Sequence, residues 1–211
     1  MSSGESVIGL LLAGGKSSRM GGGDKCLRLL KGKPIIARII ERLKPQVSGV
    51  VINANGDSSR FAAYGLPVVA DRIAGFAGPL AGIHAGLEWI KANRPGTSHA
   101  VTVATDTPFF PPDLVRRFLD EERRNAAFLV ARSDEGVHPV IGLWPVTLAS
   151  AIEDFLKREK RKVGRFAQEQ GAVEVYFPKV EIGGVLMDPF FNINEPEELA
   201  KADMLLKEQA R

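Results

Sequence analysis

The sequence predicts an α/β protein built on one doubly wound, mostly parallel sheet with helices on both faces. Three observations predict it. Short apolar runs rich in Val, Ile and Leu alternate with segments of helical periodicity, the pattern of buried parallel strands and their crossover helices. The first run passes without a polar spacer into a glycine-rich, cationic loop, GGKSSRMGGGDK at Gly14 to Lys25. Gly14, Asn53, Asp71 and Asp106 each follow the end of an apolar run. In a doubly wound sheet ligands bind beyond the carboxyl ends of the strands, near the point where strand order reverses, so the folding rule alone brings these four positions to one rim.

Taken in order, Val7 to Ala13 is the first strand. Pro34 opens a helix whose apolar positions are Ile35, Ile36, Ile39, Ile40 and Leu43, and Pro45 ends it. Val50 to Ala54 is a second strand, Phe61 to Tyr64 a helical turn closed by Gly65, and Leu66 to Ala70 a third strand ending at Asp71. A second glycine-rich loop, GFAGPLAG at Gly75 to Gly82, leads into a helix through Trp89 and Ile90. Ala100 to Ala104 is a fourth strand, followed by Asp106 and the turn TPFFPPD. Pro112 and Asp113 then start a helix with Leu114, Val115, Phe118 and Leu119 inward.

The second half is less regular. Ala127 to Ala131 and Val140 to Trp144 read as strands, Val146 to Leu156 as a helix, Lys157 to Lys162 as a charge run and Val163 to Gln170 as a short helix. Val173 to Phe177 is a strand, then comes a loop with Gly183 and Gly184, then a strand at Phe190 to Ile193. Asn194 is placed to cap the last helix, with Glu197 at the capping-box position. With no internal repeat, low-complexity tract or long linker, residues 1–211 read as a single domain.

Composition narrows the function. Hydrophobic content of 45% and charged content of 25% are those of an ordinary soluble globular chain. The net charge of +3 comes from cations interleaved with carboxylates, which suits an anionic small substrate and not a nucleic-acid track. One cysteine excludes an intramolecular disulfide and a Cys-based zinc site. No apolar run reaches the length of a membrane helix, and MSSGESV lacks the basic and apolar regions of a leader, so a cytoplasmic chain without membrane attachment is expected.

The loop at Gly14 to Lys25 fits neither common phosphate-binding pattern. A Walker loop ending at Gly15-Lys16-Ser17 needs glycine at position 10, where Leu10 stands; a dinucleotide loop from Gly21 and Gly23 needs glycine at 26, where Cys26 stands. Its glycines still let backbone N–H groups approach an anion, and Lys16, Arg19 and Lys25 add charge. Asp106 is the best candidate magnesium ligand or else a turn aspartate. Asn53 and Asp71 are placed to hold a nucleoside, through a guanine edge or ribose hydroxyls, or are strand-end turn residues. His84 and His99 read as structural. His138, before Pro139, either faces an acceptor or ends a strand. Cys26 reads as a small buried residue, with no base beside it to make it a nucleophile. Neither G-x-S-x-G nor H-E-x-x-H occurs.

These segments, LLAGGKSSRMGG-x-DK, V-I-N-A-N, the strand end at Asp71, G-P-L-A-G-I, D-T-P-F-F-P-P-D-L, His138-Pro139 and F-N-I-N-x-P-E-E-L, resemble molybdenum cofactor guanylyltransferase, in that family's order from Leu11 to Leu199. The resemblance implies a Rossmann-like nucleotidyltransferase fold and transfer of GMP from GTP to the phosphate of molybdopterin. The products are the guanine dinucleotide cofactor and pyrophosphate, formed with magnesium by in-line attack on the α-phosphorus. By position it implies that Leu12, Ala13, Gly14 and Lys25 bind GTP in the N-terminal half, with Gly15 and Arg19 near the phosphates. Asn53 and Asp71 complete the GTP site, and Asp106 binds magnesium. Arg19, Lys25 and Asp106 are the expected catalytic residues. Asn192 and Asn194 match asparagines near the active site, and the pterin falls on the C-terminal half with His138, where Lys157 to Arg165 either meet its anionic groups or form a solvated helix face. Molybdoenzyme apoproteins or their chaperones are the further partners it suggests. The alternatives are a molybdopterin cytidylyltransferase, against which stand the D-K end of the first loop and F-N-I-N, a sugar-phosphate nucleotidyltransferase, which usually carries a second domain, and a non-catalytic nucleotide or cofactor carrier, against which Lys25 and Asp106 together argue.

Overall fold

The structure, a computed structural model, describes residues 6–14, 24–73, 78–125 and 128–208. Strand β1 (Val7–Leu12) is buried along its whole length. A small hairpin follows, β2 (Leu29–Leu30) and β3 (Lys33–Pro34), turned at Lys31 and Gly32, both with positive φ. On one side β1 pairs in parallel with β4 (Gly49–Asn53), and β4 in turn with the short edge strand β5 (Val68–Val69). On its other side β1 pairs in parallel with β6 (His99–Ala104). The chain thus winds outward through β4 and β5 and returns to the far side of β1, so strand order reverses between β1 and β6.

Beyond β6 the sheet continues with β8 (Gly136–Pro145), β7 (Leu129–Ser133) and β9 (Val173–Tyr176), seven strands in the order β5-β4-β1-β6-β8-β7-β9. Only β8 runs against its neighbours; β7 and β9 are parallel to each other. Because β8 is antiparallel to β6, it begins at the rim where β1 and β6 end. Its register with β7 jumps there: Val130 faces Gly142 and Ala131 faces His138, so residues 139–141 are skipped. Pro139, which has no N–H for a ladder, lies inside that bulge, and a bulge turns its side chains out of the sheet.

Alternation along the strands sends side chains to two cores. Val7 and Leu11 join the layer covered by α1 (Ile35–Leu43), α3 (Leu114–Asn125) and α6 (Pro196–Glu208). Ile8, Leu10 and Leu12 join the layer covered by α2 (Pro79–Asn93), α4 (Ala149–Lys157) and α5 (Val163–Glu169). The doubly wound, mostly parallel architecture is therefore as expected. Among the described residues no helix is long and apolar enough to cross a membrane.

Three local expectations change. Phe190 to Ile193 is not a strand; its N–H groups are taken singly, Phe190 donating to the Asp188 carboxylate, Phe191 to the Asp188 carbonyl and Ile193 to the Asp106 carbonyl. The pairing falls just before, in a hairpin of β10 (Val180–Ile182) and β11 (Val185–Met187) whose turn is Gly183-Gly184, both with positive φ as a tight two-residue turn requires. At the last helix the reaching carboxylate is Glu198, which accepts from the N–H groups of Asn194 and Glu195 at 2.5 and 2.9 Å, and not Glu197. The Asn194 side chain turns away from the helix toward Lys25.

Candidate active site

The carboxyl ends of β1, β4, β5 and β6 open into one cavity of about 1000 Å³. Leu12, Ala13 and Gly14 enter it from β1, Asn53 and Asp71 from β4 and β5, and Asp106 from β6. Lys25, the start of β8 at His138 and Pro139, and the segment holding Asn192 and Asn194 line it as well. The described residues expected to hold GTP and magnesium, with His138, Asn192 and Asn194, therefore meet in one space, whereas none of 157–165 lines it; Gly15 and Arg19 lie outside the described residues. Strand ends are stitched together behind it: the Ala13 N–H donates to the Asn53 carbonyl at 2.8 Å, and the Thr105 hydroxyl to the Leu12 carbonyl at 3.0 Å.

Lys25 joins the two ends of the chain. Its ammonium donates to Asp106 Oδ2 at 2.8 Å and to Asn194 Oδ1 at 2.5 Å. Asp24, just before it, is ion-paired with Arg60, whose guanidinium stacks on Phe61 at 4.6 Å, so the exit of the glycine-rich loop is tethered on both sides. Asp106 Oδ1 is buried and has no hydrogen-bond partner among the described residues. A carboxylate oxygen in that condition calls for a cation. No group of three or more His, Cys, Asp or Glu gathers among the described residues. One carboxylate with amide oxygens nearby fits a hard cation that keeps waters and takes its other ligands from phosphates, as magnesium does.

Asp71 is held from both sides. Its Oδ1 accepts from Asn53 Nδ2 at 2.9 Å and its Oδ2 from Asn55 Nδ2 at 2.8 Å, while its own N–H donates to Asn55 Oδ1 at 2.8 Å. Each oxygen keeps a lone pair for a ligand. Asn53 is fixed in turn by a bond from Nδ2 to the Val69 carbonyl at 3.1 Å and by α2, where a Cβ on Gly82 would lie 2.1 Å from Asn53 Oδ1. Glycine at 82 is thus what lets α2 close on this amide. Asn55 is absent from the expected set, although Asn53 and Asn55 share one side of an extended chain and that spacing is a usable signal.

Burial, with the Asp24 charge second, pushes the Cys26 thiol up to about 11, so this cysteine is inert, as its surroundings in the sequence suggest. Burial lowers the pKa of His138, against the opposing pull of Asp188 and Glu135. The charge run 157–162 does not line the cavity; Lys157 pairs with Glu153 at 2.8 Å, and Lys160 and Arg165 share Glu169 at 2.9 and 3.0 Å.

A cavity at the strand-order reversal, with an unpartnered carboxylate oxygen, a lysine and a clamped carboxylate, can neutralise a polyphosphate and orient a nucleoside. The comparisons with known proteins agree. Residues 9–173 match the family model of the MobA-like NTP transferase domain. The molybdenum cofactor guanylyltransferases of Bradyrhizobium sp. (strain ORS 278) and Nitrobacter hamburgensis are 48% and 47% identical to the chain over 94% and 93% of its length, covering 92% and 93% of their own. The molybdopterin-guanine dinucleotide biosynthesis protein A of Archaeoglobus fulgidus, at 21% identity, superposes with a TM-score of 0.72 over 95% of this chain and 99% of that one, a likeness of fold. The chain therefore belongs to the MobA-like NTP transferases and, within them, to the molybdenum cofactor guanylyltransferase family, nucleotidyltransferases of molybdenum cofactor biosynthesis.

Proposed function

We propose that the chain transfers GMP from GTP to the phosphate of molybdopterin, releasing pyrophosphate and forming molybdopterin guanine dinucleotide. The observation that carries this reading is the meeting of Gly14, Lys25, Asn53, Asp71 and Asp106 in one cavity large enough for two substrates. The names of the relatives supply the base and the acceptor. An oxygen of the acceptor phosphate attacks the α-phosphorus, and the bond from that phosphorus to the bridging oxygen breaks. The acceptor arrives ionised, so no side chain needs to remove a proton, and the protein contributes positioning and charge.

In this reading the whole chain acts as one domain, with GTP on its N-terminal half and the pterin on its C-terminal half. Gly14 and its neighbours present backbone N–H groups to the phosphates, together with Gly15 and Arg19. Lys25 supplies a point charge close to the leaving group. Asp71, fixed by Asn53 and Asn55, accepts N–H or O–H groups from the nucleoside. Asp106, with Asn192 and Asn194 nearby, would hold magnesium, which when bound withdraws charge from the phosphoryl oxygens. His138 faces the acceptor.

Asp106→Ala tests the assignment. GMP transfer is expected to fall by at least about a hundredfold while GTP binding, measured by equilibrium titration, is partly retained. Turnover at the wild-type rate would remove Asp106 from the cation site.

A further inference from the structure

Behind the β8 wall of the cavity His138 meets two buried polar residues, Asp188 and Ser133, that the assignments above leave without a role. Asp188 follows β11 and its side chain is 1% exposed. Oδ1 accepts the Phe190 N–H at 2.8 Å, whereas Oδ2 is buried with no hydrogen-bond partner among the described residues. The titratable side chain that reaches this carboxylate among the described residues is His138, with Nε2 3.9 Å from Oδ1. The same nitrogen is 2.7 Å from the hydroxyl of Ser133, a buried residue that also accepts the Glu135 N–H at 3.2 Å. The ring packs on Phe190 at 4.7 Å. One nitrogen of His138 therefore faces a buried hydroxyl and carboxylate. Nδ1 has no protein partner among the described residues, and the residue lines the cavity.

We propose that His138 contacts an oxyanion of the phosphate-bearing acceptor through Nδ1, and that Asp188 and Ser133 are positioning residues that hold its ring. This rests on the guanylyltransferase reading. The topology supports it: the nucleotide residues come from β1, β4 and β5 on one side of β6, whereas β8 brings His138 from the other side, the wall left for the acceptor. The bulge at 139–141 is what turns the start of β8 into that wall. Burial keeps the free ring neutral near neutral pH. An anion at Nδ1 adds a second negative charge to that of Asp188, and the two together favour the imidazolium between them. A ring kept for packing alone gains nothing from a buried carboxylate behind it.

Steady-state kinetics of His138→Gln and Asp188→Asn, varying GTP and molybdopterin in turn, decide the matter. Both variants should raise the molybdopterin KM by about tenfold and leave the GTP KM within about twofold. Asp188→Asn should melt no lower than the wild type, because it removes a buried charge and keeps the shape. A molybdopterin KM within about twofold of wild type in both variants, or equal rises in both KM values, would overturn the proposal. Should Asp188→Asn not fold, His138→Gln at the cavity edge carries the test. If the wild type makes no product from GTP and molybdopterin, the guanylyl reading fails by itself. Titration of molybdopterin fluorescence on wild type and His138→Gln then still decides: about tenfold weaker binding supports the contact, and equal or absent binding overturns it.

Discussion

Replacing Gly82 by alanine sets two effects of opposite sign against each other. Alanine in place of glycine inside a helix stabilises by about 1 kcal/mol. Against this, the new Cβ would stand 2.1 Å from Asn53 Oδ1 and 2.8 Å from its Cγ, so the amide must move. Asn53 is 3% exposed and donates to the Val69 carbonyl and to Asp71. Leaving this buried amide without partners costs about 1–3 kcal/mol. Forcing a methyl into a filled space costs about 1–3 kcal/mol more. The steric side wins, by about 3 kcal/mol, and in a chain of this size the thermal midpoint falls by about 6–12 °C. Asp71 loses one of its two clamps, so the GTP KM should rise by about tenfold. Calorimetry with steady-state kinetics reads both. A variant that melts at or above the wild-type temperature with an unchanged GTP KM would show that the Asn53–Asp71 contact positions nothing.

Two further outcomes follow from buried groups. With the Cys26 thiol raised to about 11, its thiolate fraction at about pH 8 is roughly a hundredfold below that of free cysteine, and iodoacetamide should label the native chain correspondingly more slowly than the urea-unfolded one; equal rates would refute its burial. His84, whose buried Nδ1 has no partner among the described residues, and His138 both have pKa values lowered, first by burial. Their unfolded forms bind protons at higher pH than their folded forms. Stability is therefore full above about pH 6.5 and is lost as the pH falls toward the folded values. The urea midpoint should be lower at about pH 5.5 than at about pH 7, and His84→Gln should flatten the difference; equal midpoints in the wild type would contradict the sign.

Much of the nucleotide side could be read from the chain because its residues sit at the ends of apolar runs. Leu12, Asn53, Asp71 and Asp106 are each one short step from a buried strand, and parallel winding does the rest. The far side was hidden for physical reasons. Pro139 interrupts the apolar pattern of β8, so only Val140 to Trp144 read as strand, and the antiparallel direction that brings His138 to the rim left no trace in periodicity. Phe190 to Ile193 is apolar enough to read as a strand, yet tertiary contacts to Asp106 and Asp188 claim its backbone. Asn194 looked like a helix cap by local rules. Its partner Lys25 lies 169 residues away, a pairing that local patterns do not carry. Asp188 stands in no motif of the sequence, and only its burial singles it out.

Guanylyl transfer to a phosphorylated pterin is the activity proposed for the site at these strand ends. Magnesium-dependent pyrophosphate release, measured with each of the four NTPs in the presence and absence of molybdopterin, tests it most directly. Release is expected from GTP alone among the four, and only with the pterin present, in step with formation of the guanine dinucleotide. Release with CTP in place of GTP would contradict the assigned base, and nucleotide binding without turnover on any acceptor would contradict catalysis itself.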